Sequence, residues 1–176
     1  TEVHGEKHTD VANVCCNLGI TCTNICRYDE AIALQEESLE IYRSAMGERC
    51  HSAGQCLTFI GEALNRQNKC AEALARLEEA LSICQEAAGE KHTSVARVHG
   101  NMGLCYFQMG SLDEALKSHK KALKIYRIVD GDNSPEAAAE LHNLGNVFLG
   151  KDMLAEAKAK YEEALEIKRC LHGEKH

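Results

Sequence analysis

The chain has 176 residues, 27 of them acidic and 20 basic, for a formal net charge of −7. Nucleic-acid recognition needs a basic face, so this balance excludes it, and no apolar run approaches the roughly 18 residues that a membrane span requires. A single proline, no tryptophan and an abundance of Ala, Leu, Glu and Lys favour helices and disfavour strands.

The peptide GEKHT at 5–9 returns unchanged at 89–93, and GEKH closes the chain at 173–176. GERCH stands at 47–51 and GDNSP at 131–135, so Gly5, Gly47, Gly89, Gly131 and Gly173 recur every 42 residues. A fixed period of this size marks a repeat array. The repeats run 5–46, 47–88, 89–130 and 131–172, and 173–176 begins another. Starting on Thr1 and ending inside a repeat are expected of a piece of a longer protein. Charge is uneven along the array: −4, −2, +3 and −3 in repeat order.

Each repeat predicts two helices. The first opens at a capping hydroxyl (Thr9, Ser52, Thr93 or Ser134, the last followed by Pro135) and ends near Asn24, Arg66, Gln108 or Gly150. The second opens on YDEA (28–31), CAEA (70–73), LDEA (112–115) or LAEA (154–157). It stops near the marking glycine, the residue suited to a left-handed helix end. GEKHT is thus expected to be a corner: stop, turn and next cap.

The helical period selects Cys15, Leu18, Gly19 and Cys22 as one packed stripe, continued by Ala31, Leu39 and Ile41. The later repeats give Leu57, Ile60, Gly61, Leu64, Ala73, Leu81 and Ile83; Met102, Gly103, Tyr106, Ala115, Leu123 and Ile125; and Leu144, Gly145, Phe148, Ala157, Leu165 and Ile167. A glycine inside a helix costs about 1 kcal/mol relative to alanine. The column Gly19, Gly61, Gly103, Gly145 therefore predicts a close approach of the partner helix.

A Leu-Gly pair, an aromatic three residues on and an alanine nine further resemble the tetratricopeptide repeat signature, as in MGLCYFQMGSLDEA (102–115) and LGNVFLGKDMLAEA (144–157). The 42-residue period with its GEKH corner resembles the longer repeats of kinesin light chains. The resemblance implies an all-α, right-handed superhelical solenoid of antiparallel helix pairs, whose first helices line a concave groove and whose second helices form the convex back. It also implies a non-enzymatic module that binds an extended peptide segment of a protein partner. The alternative is a structural spacer or self-association segment of a larger protein.

Residues opposite the packed stripe would face that groove. They are Asn13, Asn17, Ile20 and Asn24; Gln55, Phe59, Glu62 and Arg66; Arg97, Asn101, Leu104 and Gln108; and Asn143, Asn146 and Gly150, with Asn65 and His142 beside them. Amides offer a donor and an acceptor, which suits gripping a peptide backbone whatever its sequence. Arg66, Arg97 and His142 lend the groove positive potential and an expected preference for acidic ligands. Cys16, Thr58, Gly100 and His142 occupy the column where a clamp for a terminal carboxylate would need lysine.

On the convex face, Glu36, Glu37, Glu40, Glu78, Glu79, Glu162, Glu163 and Glu166 give way in the third repeat to Lys120, Lys121 and Lys124, with Lys117 one turn before. Opposite signs there would allow convex-face self-association, and uncapped apolar ends would allow end-to-end stacking. Ten cysteines without a secretory signal suit a reducing, cytoplasmic setting, and none has the paired spacing of a zinc module. They are expected as core filler. No catalytic motif, metal set or cofactor loop is present in the sequence.

Overall fold

The computed structural model describes residues 2–171 and Gly173. All regular structure among them is helical: α1 (Glu2–Asn24), α2 (Tyr28–Met46), α3 (His51–Arg66), α4 (Cys70–Ala88), α5 (Thr93–Gln108), α6 (Leu112–Val129), α7 (Pro135–Gly150) and α8 (Leu154–Leu171). The chain divides into two compact units, Thr1–Glu90 and Lys91–His176, each of two helix pairs. In the first unit α1 packs on α2, α2 on α3 and α3 on α4; the second repeats the scheme with α5 to α8.

The turn inside each pair is the same device four times. Arg27 N donates to Cys22 O at 2.8 Å, and Lys69 to Leu64, Ser111 to Tyr106 and Met153 to Phe148 at 2.9 Å each. These are the long bonds of a Schellman-type helix end, which needs a left-handed residue just before the donor. That residue is Cys26 (φ 62°), Asn68 (64°), Gly110 (76°) or Asp152 (59°). Between pairs, Gly47, Gly89 and Gly131 have φ of 98°, 85° and 88°, as a stop at the marking glycine demands.

The expected corners need correction. Residues 5–9 form no corner: α1 runs as one helix from Glu2 through Asn24. Caps also shift towards the preceding residue. Cys50 holds the cap position instead of Ser52 and makes no capping side-chain bond, its thiol donating to Tyr42 O at 3.8 Å instead. His92 replaces Thr93, its ring accepting from Ser94 N at 3.1 Å. Ser134 does cap, accepting from Ala137 N at 3.1 Å with Pro135 in the first turn. Of the closing GEKH, Gly173 has a left-handed φ of 71°, and 174–176 lie outside the described residues.

The glycine column is where paired helices meet. A Cβ on Gly19 would stand 2.7 Å from Gln35 Nε2, on Gly61 2.6 Å from Leu77 Cγ, on Gly103 2.6 Å from His119 and on Gly145 2.5 Å from Tyr161. The side chain sixteen residues on therefore lies against the bare backbone, whatever its type. Ile41, Leu81 and Tyr106 of the stripes are half-buried, and two stripe residues are exposed: Leu18 and Leu165, each 47% exposed. Their counterparts Ile60 and Leu144, and Leu39 and Leu123, are buried because a helix of the neighbouring repeat covers them. Among the described residues nothing covers that side of α1 or α8.

Candidate functional site

In the first unit, α1 exposes Asn13, Asn17 and Asn24, and α3 exposes Gln55 and Arg66. The geometry distinguishes among them. Asn13 Oδ1 accepts the Tyr42 hydroxyl at 2.5 Å, which ties that amide to α2. Arg66 lies 3.8 Å from Glu62, one turn earlier on the same helix. Asn17 and Gln55 stand on the exposed face itself. Asn65 must be removed from this group: it is buried, and its Oδ1 accepts the Cys70 thiol at 3.6 Å. One residue before Arg66, it is turned about 100° round the helix towards the start of α4.

In the second unit, Arg97 and Gln108 on α5 and His142 on α7 are exposed, while Asn143 and Asn146 are half-buried. Arg97 hydrogen-bonds the Tyr126 phenol on α6, whose pKa burial pushes up to about 12. Asn13 with Tyr42 is the same relationship two repeats earlier. Asn146 Oδ1 accepts the Tyr161 hydroxyl at 2.6 Å, and the His142 ring lies 5.5 Å from the Tyr161 ring, tilted by 54°. Both are thus held by α8. Asn101 is 9% exposed, and its buried Nδ2 makes no hydrogen bond among the described residues. Leaving a buried donor unpaired costs about 1–3 kcal/mol, so Asn101 is the amide with the most to gain from an incoming acceptor.

Lys117, Lys120, Lys121 and Lys124 are exposed on α6. Lys120 Nζ lies 6.0 Å above the Phe148 ring of α7. The glutamates of the same columns are not a merely solvated face. Arg43 reaches Glu79 at 2.6 Å, Arg76 reaches Glu36 at 3.4 Å, and Arg127 with Lys160 holds Glu163. Arg43–Glu79 and Arg127–Glu163 join successive second helices at matching places in the two units. The signal for them was an arginine and a glutamate 36 residues apart in recurring columns.

The apolar ends expected from the sequence take a definite form. Leu149, Leu154, Ala157, Tyr161 and Leu165 line an apolar groove on α7 and α8, with Lys158 and Glu162 at its edge. On α1, Val11, Val14, Leu18 and Ile25 are 47–65% exposed and share one helical face. Among the described residues no group of three or more metal-ligating side chains occurs, and no helix is long and apolar enough to cross a membrane.

Stacked helix pairs with a glycine–alanine contact and a 42-residue period define a helical-repeat protein. The tetratricopeptide repeat model matches residues 1–44, 10–86, 55–128 and 94–169, and the chain belongs to that family. Similar solved structures include the kinesin-light-chain-like protein BtubC (BKLC) from P. vanneervenii, with a TM-score of 0.79 at 23% identity over 94% of this chain and 66% of that one. The Rap conjugation gene regulator of plasmid pLS20, solved in complex with a Phr peptide, gives 0.82 at 22% identity over 93% and 43%. A Rap protein complexed with Competence and Sporulation Factor gives 0.77 at 21% over 91% and 44%. The chain thus spans from under half to about two thirds of the length of these relatives. At such identities the likeness establishes the all-α, TPR-like solenoid fold. Comparison with curated proteins finds no match.

Proposed function

We propose that this protein is a non-enzymatic protein–protein interaction scaffold, of the adaptor or complex-assembly type, that binds an extended peptide segment of a partner along the amide-bearing faces of its first helices. The observation that carries the reading is Asn101, whose amide donor is buried without a partner in the column it shares with Asn17 and Asn143. A peptide carbonyl would satisfy it, and amides accept any peptide backbone. One of the similar structures, the Rap conjugation gene regulator, is solved in complex with a Phr peptide, which supports the same class of ligand. Exposed Arg66 and Arg97 favour a segment with acidic side chains. Ten free thiols suit a reducing, cytoplasmic setting.

The test is a peptide-array or pulldown comparison of the native chain with an Asn17→Ala/Asn101→Ala/Asn143→Ala variant of matched melting behaviour. Ligands lost by the variant support the reading; ligands retained overturn it.

A second reading, self-association through the ends, is favoured by the apolar groove on α7 and α8 together with the apolar face of α1. One copy's Val11, Val14 and Leu18 would enter another copy's groove. The exposed lysines of α6 would instead mediate convex-face association, which high salt would dissolve.

A further inference from the structure

Cysteine is mostly inert filler in this fold, and Cys22, Cys70, Cys84 and Cys105 are buried as such. Cys16 and Cys56 differ. Cys16 lies on α1, half-buried, in the column that faces the following repeat. Cys56 lies on α3 and is fully buried. The corresponding positions of the second unit are Gly100 and Glu140, where a Cβ on Gly100 would stand 2.5 Å from Glu140 Oε1. In the first unit the Cys16 and Cys56 side chains likewise meet, hydrogen-bonding each other.

The surroundings of the pair are polar. Cys56 Sγ lies 3.4 Å from Ser38 Oγ, and Ser38 in turn donates to Ala12 O at 2.8 Å. Gln35 Nε2 donates to Cys16 O at 2.8 Å, which holds α2 beneath the pair. A hydrogen bond from Cys56 lowers the Cys16 pKa, Gln35 adds to the effect, and the two outweigh the upward push of burial. Cys56 moves the other way, raised first by that shared hydrogen bond and then by burial. The half-buried Cys16 is thus the more readily ionised sulfur and the buried Cys56 the protected one within reach of it, which is the arrangement of an attacking and a resolving cysteine.

We propose that Cys16 and Cys56 form a peroxide-sensitive dithiol that closes to a disulfide joining α1 to α3. The Cys16 thiolate attacks one oxygen of hydrogen peroxide, the O–O bond breaks, and the departing hydroxide takes a proton to leave as water. Cys16 is then a sulfenic acid. The Cys56 sulfur attacks the Cys16 sulfur, the S–O bond breaks, and the leaving hydroxide carries off the Cys56 proton as a second water. Two thiols give up two electrons and two protons, and one peroxide becomes two waters. The crosslink fixes the first helices of the first two repeats to each other. A thiol reductant reverses it.

The test uses the 176-residue chain, reduced and then treated anaerobically with a few equivalents of hydrogen peroxide. Free thiols are alkylated and the protein is digested without reduction. The expected result is loss of two free thiols and a peptide containing residues 8–27 linked to one containing 50–66, assigned to Cys16–Cys56 by fragmentation and reversed by dithiothreitol. Cys16→Ser should abolish the link, and Cys22→Ser should leave it. Cys16 ending as a sulfinic acid beside a free Cys56 would overturn the proposal. So would Cys56 linked to Cys50, or oxidation confined to the exposed Cys26 and Cys170.

Discussion

Glu140 Oε2 lies 2.7 Å from His119 Nδ1, and both side chains are buried at the contact of α6 with α7. The other repeats place Gln35, Leu77 and Tyr161 at the position of His119, and Val14, Cys56 and Val98 at that of Glu140. The pair is therefore a local solution in an otherwise apolar or weakly polar column. Removing one partner leaves the other buried and unpaired, at a cost of about 3 kcal/mol or more, whereas replacing both with apolar groups is often neutral. Glu140→Ala should accordingly lose about 3 kcal/mol in denaturant titration. The His119→Leu/Glu140→Val double variant should recover most of that loss, and additive losses would contradict this account.

A different buried histidine controls the acid side of the stability curve. Burial, with Lys121 adding to it, holds the His99 pKa down at about 4, against about 6.5 for an exposed imidazole. Native His99 stays neutral where the unfolded chain already takes up a proton, so between those values the unfolded state binds more protons. Stability is then full above pH ~6.5, falls as pH drops towards ~4, and levels off below that; the loss is about 3 kcal/mol at most. Leu57 and Leu141 fill the same column. His99→Leu should flatten this part of the profile, and an unchanged slope would place its origin elsewhere.

The glycine column makes a steric prediction. A Cβ on Gly61 would meet Leu77 Cγ at 2.6 Å and Cδ2 at 2.7 Å, with the Ala73 carbonyl at 3.4 Å behind them. Overpacking of this kind costs about 1–3 kcal/mol, more than the helix propensity of alanine returns. Gly61→Ala should lower the melting temperature, and Gly61→Ala with Leu77→Ala should lose less than the sum of the two single changes.

The turns inside the helix pairs offer the opposite case. Cys26, Asn68 and Asp152 hold φ of 59–64°, the conformation that Gly110 adopts at the same place in the third repeat. A left-handed residue with a Cβ costs about 1–2 kcal/mol, less for Asn and Asp. Cys26→Gly should therefore stabilise the first unit by about 0.5–1 kcal/mol after the entropy penalty of glycine. Asn68→Gly should gain less, which hydrogen exchange at the end of α3 would register.

These turns also mark what the sequence could reveal. The ends at Asn24, Arg66, Gln108 and Gly150 and the starts at Tyr28, Cys70, Leu112 and Leu154 were legible because apolar period and the alanine column speak at every repeat. The left-handed column between them was less so: Asn68, Gly110 and Asp152 are types that favour this conformation, but Cys26 is not and hides the column. Asn65 resembled its neighbour Arg66 in polarity, and only its direction towards Cys70 separates them. The continuation of α1 through Gly5 escaped notice because GEKHT reads identically at 5–9 and 89–93, although the first lies within one helix. The unpaired amide of Asn101 depends on burial, which one residue type cannot announce.

Exposure at Leu18 and Leu165 arises from the same repeat logic and leads to the last prediction. Each is 47% exposed, whereas Ile60 and Leu123, covered by the neighbouring repeat of the same unit, are buried. If α1 of one copy occupies the groove lined by Leu154, Tyr161 and Leu165 of the next, contact is head to tail and the resulting pair keeps one free face of each kind. Such an interface does not close on itself, so mass should rise progressively with concentration. Either Leu18→Asp or Leu165→Asp should hold the chain monomeric in sedimentation equilibrium. An equimolar mixture of the two variants should form dimers only, because one native α1 face and one native α8 groove remain between them. Dimers in either variant alone would remove the head-to-tail arrangement and leave the lysine face of α6, whose contacts high salt would weaken.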